Sequence, residues 1–123
     1  MDIRSPDAIA EEWIRKWSTG KAAKDFDSAL DWELPRKQPE LCLAAILEVL
    51  TRVDSTAPSE TLGLLAAGPL EDLLNYNGEH VLEQVDLLAR RDPGFRLLLN
   101  GVWDNSIAPN VLARLEKYRG NRW

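Results

Sequence analysis

A chain of 123 residues with 45% hydrophobic and 28% charged residues has the size and composition of one folded domain, which we expect to span residues 1–123. Its single cysteine, Cys42, excludes an intrachain disulfide and a cysteine-based metal cluster. The net charge of −5 and the shortness of every apolar run argue against nucleic-acid and membrane partners and make the cytoplasm the default location.

Charge is unevenly distributed along the chain. Residues 53–89 carry seven acids and no lysine or arginine, whereas residues 90–123 carry three acids and seven bases. A segment without basic side chains should repel nucleic acid and anionic lipid, and it suits a basic protein surface. Alternatively, these acids form a solvated face that the basic C-terminal third neutralises in the folded protein.

The first predicted helix shows a complete set of helix signals. Ser5 is the expected N-cap, Pro6 is the first helical residue, and Gly20 follows the end of the helix. Trp13 and Trp17 lie on its apolar stripe, so we expect both in the core.

Shorter helices are predicted to follow. One covers about residues 25–33 and leaves the orientation of Trp32 open, before the sequence LPRKQP breaks the chain. The next begins at Pro39, is apolar on more than one side, includes Cys42 as a small buried residue, and is the expected centre of the domain.

Glycine and proline then divide the rest of the chain. A helix over about residues 58–67 is expected to stop at Gly68, and another to start at Pro69 and stop at Gly78. The remaining helices are predicted over about residues 79–91, 93–102 and 109–119. The class is therefore all-α, with about seven or eight short helices in helical hairpins, forming a compact orthogonal bundle or a short HEAT-like array.

Motifs for catalysis, metal binding and phosphate binding are missing. The glycines are isolated at predicted helix corners, so no phosphate-binding loop is expected. A metal site would depend on His80 alone among the soft or borderline ligands. A carboxylate-dependent hydrolase would need a cleft holding two acids with separated pKa values. We expect no enzymatic activity, no cofactor and no metal ion.

Two features of the second half have both a structural and a functional interpretation. Glu71 and Asp72 fall in the first turn of the helix predicted to start at Pro69, where carboxylates are stabilised by exposed amides, but they also suit the rim of an acidic contact surface. Trp103 either closes the core, which we favour, or lines a groove. Trp123 is expected to fray at the chain end, and the alternative is a contact anchor.

Residues 64–103 combine several short motifs. These are A-G-P-L-E-D-L-L, an isolated glycine, an amphipathic helix, D-P-x-F-R and G-V-W, found here at 67–74, Gly78, 79–91, 92–96 and 101–103. The pattern resembles an uncharacterised bacterial family of small helical proteins, a domain of unknown function. The resemblance implies a helical fold and a bacterial origin, and it brings no activity. Small acidic proteins of this kind are similar to the immunity partners of secreted toxins.

We therefore expect a protein-binding module, most specifically an immunity-type inhibitor that neutralises a cognate bacterial toxin through an acidic helical face. Its partner would be a basic toxin domain. The alternative is a scaffold or adaptor protein that binds a partner through an apolar groove near Trp103. The candidate partner-binding residues are Asp54, Glu60, Glu71, Asp72, Glu79, Glu83, Asp86 and Trp103.

Overall fold

A computed structural model describes residues 2–18, 28–104, 106–120 and 123. These ranges form a helical bundle without strands, which confirms the all-α prediction, and the expected helix number is close. The α-helices are α1 (Pro6–Ser18), α2 (Glu33–Lys37), α3 (Pro39–Arg52), α4 (Glu60–Leu65), α5 (Glu71–Arg91), α6 (Pro93–Leu99) and α7 (Pro109–Leu115). Turns of 3₁₀-helix cover Ala29–Asp31 and Glu116–Tyr118, and a π-helical turn covers Ala66–Leu70.

Helix α1 packs on α3 and also contacts the 3₁₀ turn Ala29–Asp31. Trp13 is fully buried and Trp17 is partly buried against the core, as the apolar stripe predicts. Both indole N–H groups donate to the carboxylate of Asp31, at 2.8 and 3.1 Å. The amphipathic indole explains this arrangement, because the ring enters the core while its polar edge finds an acceptor.

The second helix differs from its prediction. The proposed range 25–33 lies partly outside the described residues, and the described part forms only the turn Ala29–Asp31. Instead, α2 occupies the stretch that was expected to break the chain. Pro35 is the third residue of α2, where the missing N–H would have had no intrahelical acceptor, so the proline is tolerated.

Helices α3 and α5 form the centre of the bundle. Helix α3 contacts α1, α2, α5 and α6, and α5 contacts α2, α3, α6 and α7. The predicted central role of the helix at Pro39 is consistent with this packing, and Cys42 is buried. Burial raises the pKa of its thiol, so the side chain is an inert apolar filler.

The predicted stop and restart at Gly68 and Pro69 is wrong. The backbone stays helical from α4 through the π-helical turn into α5, with Leu65, Ala66, Leu70 and Glu71 all in the right-handed helical region. A proline inside a helix lacks an N–H and collides with the carbonyl four residues earlier. The wider π-turn accommodates Pro69, so the chain bulges at this point and continues.

The predicted stop at Gly78 matches a kink that divides α5 one residue earlier, at Asn77. Asn77 departs from helical geometry, at φ −137° and ψ 25°, so α5 consists of two helical segments that meet at a kink. Its side-chain amide donates to the carbonyl of Pro35 at 2.7 Å. Gly78 is buried against α7, since a β-carbon there would lie 3.2 Å from Val111 Cγ2. Gly78 therefore follows the break between the two segments of α5 and also permits close packing against α7.

The last part of the fold follows its start signals more closely than its predicted ends. The carboxylate of Asp92 caps α6 by accepting the N–H groups of Gly94 and Phe95, at 2.9 and 3.2 Å. Helix α6 ends at Leu99, three residues before the predicted end, which frees Val102 and Trp103 for a loop. Among the described residues, no helix combines the length and the apolar character that a membrane span requires.

Candidate functional site

Trp103 is exposed, so the favoured prediction that it closes the core is wrong. Its side chain is 62% accessible, although it follows the buried residue Val102. The loop that carries it begins where α6 ends and runs towards α7. An exposed tryptophan leaves a large apolar ring in water, so the ring contributes none of the free energy that its burial in the core would provide.

The backbone on both sides of Trp103 is fixed by named contacts. The buried guanidinium of Arg119, whose side chain is 2% accessible, donates to the Val102 carbonyl and forms an ion pair with Asp104. The Trp103 N–H donates to Glu71 Oε1 at 3.1 Å. Two charged side chains therefore hold the loop. The cation Arg119 binds the residues on either side of Trp103, and the anion Glu71 binds the Trp103 N–H.

Trp123 packs against the same region, so the prediction of a frayed end is wrong for this residue. Its indole N–H donates to the Leu97 carbonyl at 3.0 Å, and its backbone N–H donates to the Asn100 carbonyl at 3.1 Å. The ring lies over Gly101, where a β-carbon would come within 2.9 Å of Trp123 Cζ2. Gly101 thus leaves room for the terminal ring, a role that its place in the G-V-W motif does not reveal.

A groove of about 260 Å³ opens beside the Trp103 side chain. Its described lining is formed by Asn100, Val102, Trp103 and Trp123. The sequence left two alternatives for Trp103, closing the core or lining a groove, and in the structure Trp103 lines a groove. Such a shallow, mostly apolar depression accommodates one side chain of a partner and not a drug-sized molecule.

Glu71 and Asp72 are not at a helix start, because α5 continues the preceding turn. The N–H of Glu71 already donates to the carbonyls of Ala66 and Gly68, so the predicted interaction with free amides is absent. The two carboxylates instead face different neighbours. Glu71 accepts the Trp103 N–H, and Asp72 lies 3.7 Å from Nη1 of Arg36 in α2. Burial raises the pKa of Asp72, and Arg36 partly opposes this effect.

Glu83 and Asp86 share an arginine from the C-terminal third of the chain. Arg114 of α7 donates to Asp86 at 2.7 Å and to Glu83 at 3.0 Å. Asp86 is only 2% accessible and also accepts the Tyr118 hydroxyl, a contact that, with Arg114, lowers its pKa despite burial. Intramolecular neutralisation, the alternative to a contact surface, therefore applies to these two acids.

The remaining predicted acids lie apart from one another along the chain. Asp54 is exposed and accepts the N–H and hydroxyl of Thr56 within its own loop, at 3.0 and 2.6 Å. Glu60 is exposed at the start of α4, and Glu79 is exposed in the middle of α5. Glu79, Glu83 and Asp86 are spaced i, i+4 and i+7 in α5 and so share one helix face, whereas Asp54, Glu60 and Trp103 belong to other elements. Among the candidates, a hydrogen bond joins Glu71 with Trp103, and Arg114 joins Glu83 with Asp86.

Sequence reasoning missed a second exposed aromatic cluster. Trp32 and Tyr76 are 67% and 57% accessible, and the guanidinium of Arg36 lies between them, 3.8 and 4.3 Å from the two ring centroids. Arg36 also donates to the Trp32 carbonyl at 2.8 Å. The i, i+4 spacing of Trp32 and Arg36 was a readable signal. The contribution of Tyr76 was not readable, because it comes from α5.

A cavity of about 640 Å³ lies between the N-terminal residues, α1 and the Ala29–Asp31 turn. Most of its charged lining residues are paired within the chain, Arg4 with Asp2 and Glu12, and Lys16 with Asp31. His80, the sequence-based metal candidate, contacts Glu40 of α3. Among the described residues, no group of three or more histidine, cysteine or carboxylate side chains is arranged for a metal ion.

Comparison with known proteins identifies a family and no activity. No curated protein and no solved structure matches the chain. The model of a family of unknown function, DUF6869, matches residues 19–123, a range that includes the Trp103 loop, Arg119 and Trp123. The match confirms the resemblance to an uncharacterised domain. The chain belongs to DUF6869, a family of unknown function.

Proposed function

We propose that this chain is a protein-binding module whose contact surface includes Trp103. One observation carries the proposal: a 62% accessible tryptophan stands on a backbone that Arg119 and Glu71 hold in place. Tryptophan is strongly enriched at the energetic centres of protein interfaces. A loop fixed before binding loses little conformational freedom on association, so more of the contact energy contributes to affinity.

The most specific form of the proposal is an immunity-type inhibitor that neutralises a cognate bacterial toxin by covering its active site. The net charge of −5 and the exposed acids Asp54, Glu60 and Glu79 support a basic partner surface. Charges of this kind raise the association rate more than the final affinity. The acids need not form one patch for this purpose, because steering depends on the summed field of the protein.

The second candidate is a scaffold or adaptor that binds through the groove beside Trp103, with the acids only keeping the protein in solution. The groove of about 260 Å³ between Trp103 and Trp123 favours this form. Both forms use Trp103, and they differ in what the partner does and in how strongly salt affects its association.

The test begins with a partner captured from cells of the source organism and identified by mass spectrometry. Trp103→Ala should weaken its binding at least about 30-fold, the effect of removing an interface centre. Trp32→Ala is the matched control, since it removes an equally exposed tryptophan elsewhere, and it should change affinity less than about threefold. Equal effects of both variants would contradict a contact surface at Trp103.

Association kinetics separate the two forms. For the inhibitor, Glu60→Lys combined with Glu79→Lys should slow association about tenfold at low salt, and added salt should reduce the difference. The captured partner should also lose its toxic activity when the chain binds. For the adaptor, the same charge reversal should leave the association rate unchanged and the partner active.

A further inference from the structure

The Trp32 cluster contains a complete arrangement of an indole, a guanidinium and a carboxylate. Arg36 lies 3.8 Å from the Trp32 ring centroid, and its Nη1 is 3.7 Å from Asp72. A cation over an indole face is attracted by the ring, and a neighbouring carboxylate balances its charge. The cluster is exposed, yet its aromatic and charged groups satisfy one another within the chain.

The surface formed by Trp103 and Glu71, which we call the Trp103 corner, contains an indole and a carboxylate. Trp103 is nearly as exposed as Trp32, at 62% against 67%. Glu71, the neighbour of Asp72 in sequence, is bound to the Trp103 backbone at 3.1 Å, so its carboxylate lies beside the residue that carries the indole. Within the described ranges, no lysine or arginine stacks on Trp103, and no basic side chain pairs with Glu71.

We infer that the Trp103 and Glu71 corner binds an arginine side chain of the partner protein. This inference rests on the proposed function and names the chemistry of its contact. The incoming guanidinium takes the position at Trp103 that Arg36 takes at Trp32, with Glu71 in the place of Asp72. The occupant is arginine because its flat guanidinium stacks on an indole and presents a fork of donors to a carboxylate, which a lysine ammonium does not.

The geometry leaves Glu71 able to accept a second donor. Oε1 receives the Trp103 N–H, while an ionised carboxylate offers about four acceptor positions over its two oxygens. Charge complementarity points the same way. Asp72, Glu83 and Asp86 each have an arginine within the chain, whereas Glu71 has a backbone amide and no cation among the described residues.

The inference is tested with the full chain and two short peptides. The probes are acetylated and amidated Gly-Arg-Gly and its citrulline analogue, which has almost the same shape and no charge. The readout is the indole N–H signal of Trp103 in ¹⁵N-labelled protein, assigned from its absence in Trp103→Phe. The arginine peptide should shift this signal saturably and bind about fivefold more tightly than the citrulline peptide.

Matched variants locate the charge responsible. Glu71→Gln keeps an acceptor for the Trp103 N–H and removes only the negative charge, so it should reduce the arginine preference to less than about twofold. Glu79→Gln removes an exposed acid elsewhere in α5 and should keep the preference. Equal binding of the two peptides to the wild-type chain, or equal effects of the two variants, would overturn the inference.

Failure of this inference is distinguishable from failure of the proposed function. If Trp103→Ala abolishes binding of the captured partner while the peptides do not discriminate, the module still binds protein and the arginine contact is wrong. If Trp103→Ala leaves partner binding intact, the contact surface itself is wrong, whatever the peptides do.

Discussion

Trp32 and Trp103 are similarly exposed, but they differ in whether the chain supplies a cation that stacks on the ring. At Trp32 the ring is stacked on Arg36, and the guanidinium has Tyr76 on its other side and Asp72 near its edge. At Trp103 the backbone is held firmly and the ring contacts no cation within the described residues. Accessibility alone therefore does not identify a contact surface. The informative property is whether the chain satisfies the exposed ring itself.

The largest expected effect concerns the support of the Trp103 corner. Arg119→Met removes a buried guanidinium that holds Val102 and Asp104, and it should lower the free energy of unfolding by about 3 kcal/mol. Urea denaturation at neutral pH measures this loss. Arg15→Met is the matched control, because it breaks the exposed pair with Glu11 and should change stability by less than about 0.5 kcal/mol. Similar values for both variants would show that the corner is not held by Arg119.

The next effect compares the two tryptophans directly. Trp32→Ala removes one face of the Arg36 stack and should cost about 1 kcal/mol of stability. Trp103→Ala removes a ring without a cation partner in the described chain and should cost less than about 0.5 kcal/mol. The same denaturation assay ranks them. The opposite ranking would mean that Trp103 supports the fold and that the proposed difference between the corners is wrong.

The smallest effect is a pH dependence in the Trp32 corner. Burial raises the pKa of Asp72 above its ordinary value of 3.8. Between that value and the raised one, the folded state binds more protons than the unfolded state, so stability falls as the pH rises through this window. Asp72→Asn lacks this titration and should gain stability relative to the wild type as the pH rises from 3 to 6.

Asp86→Asn provides a control of opposite sign. The Tyr118 hydroxyl and Arg114 lower the pKa of Asp86 from 3.8, so its contribution is present above pH 3.8 and is lost as the pH falls through the lowered pKa. This variant should therefore lose more stability relative to the wild type at pH 6 than at pH 3. Parallel pH profiles for the two variants would contradict the assigned environments.

Local start signals were reliable guides to the helices. Pro39, Pro93 and Pro109 each begin a helix in the structure, and Asp92 caps α6 as its sequence indicates. Such signals work because a proline or a carboxylate at a helix start acts on amides a few residues away. Stop signals were less reliable. Gly68 lies within a continuing helical path, since glycine also serves where the backbone widens, whereas the stop predicted at Gly78 coincides with the kink at Asn77.

The candidate site was predictable only in part. The sequence singled out Glu71 and Trp103 among eight residues, but it did not join them, because their hydrogen bond links positions that are 32 residues apart. Arg119, which clamps the loop, was assigned no role. Trp123 was expected to fray, since the space that Gly101 and Gly63 provide for its ring exists only when the helices are assembled.

By itself, the sequence determined the all-α class, the apolar stripes of α1 and α3, and the separation of an acidic middle from a basic end, because these properties depend on composition and on neighbours within a few residues. Tertiary structure alone decided which charges are satisfied. Arg114 neutralises Glu83 and Asp86, and Arg36 completes the Trp32 corner. Trp103 and Glu71 were left together without a cation in the described chain, because pairing of charges depends on distances in space, which packing of the helices sets.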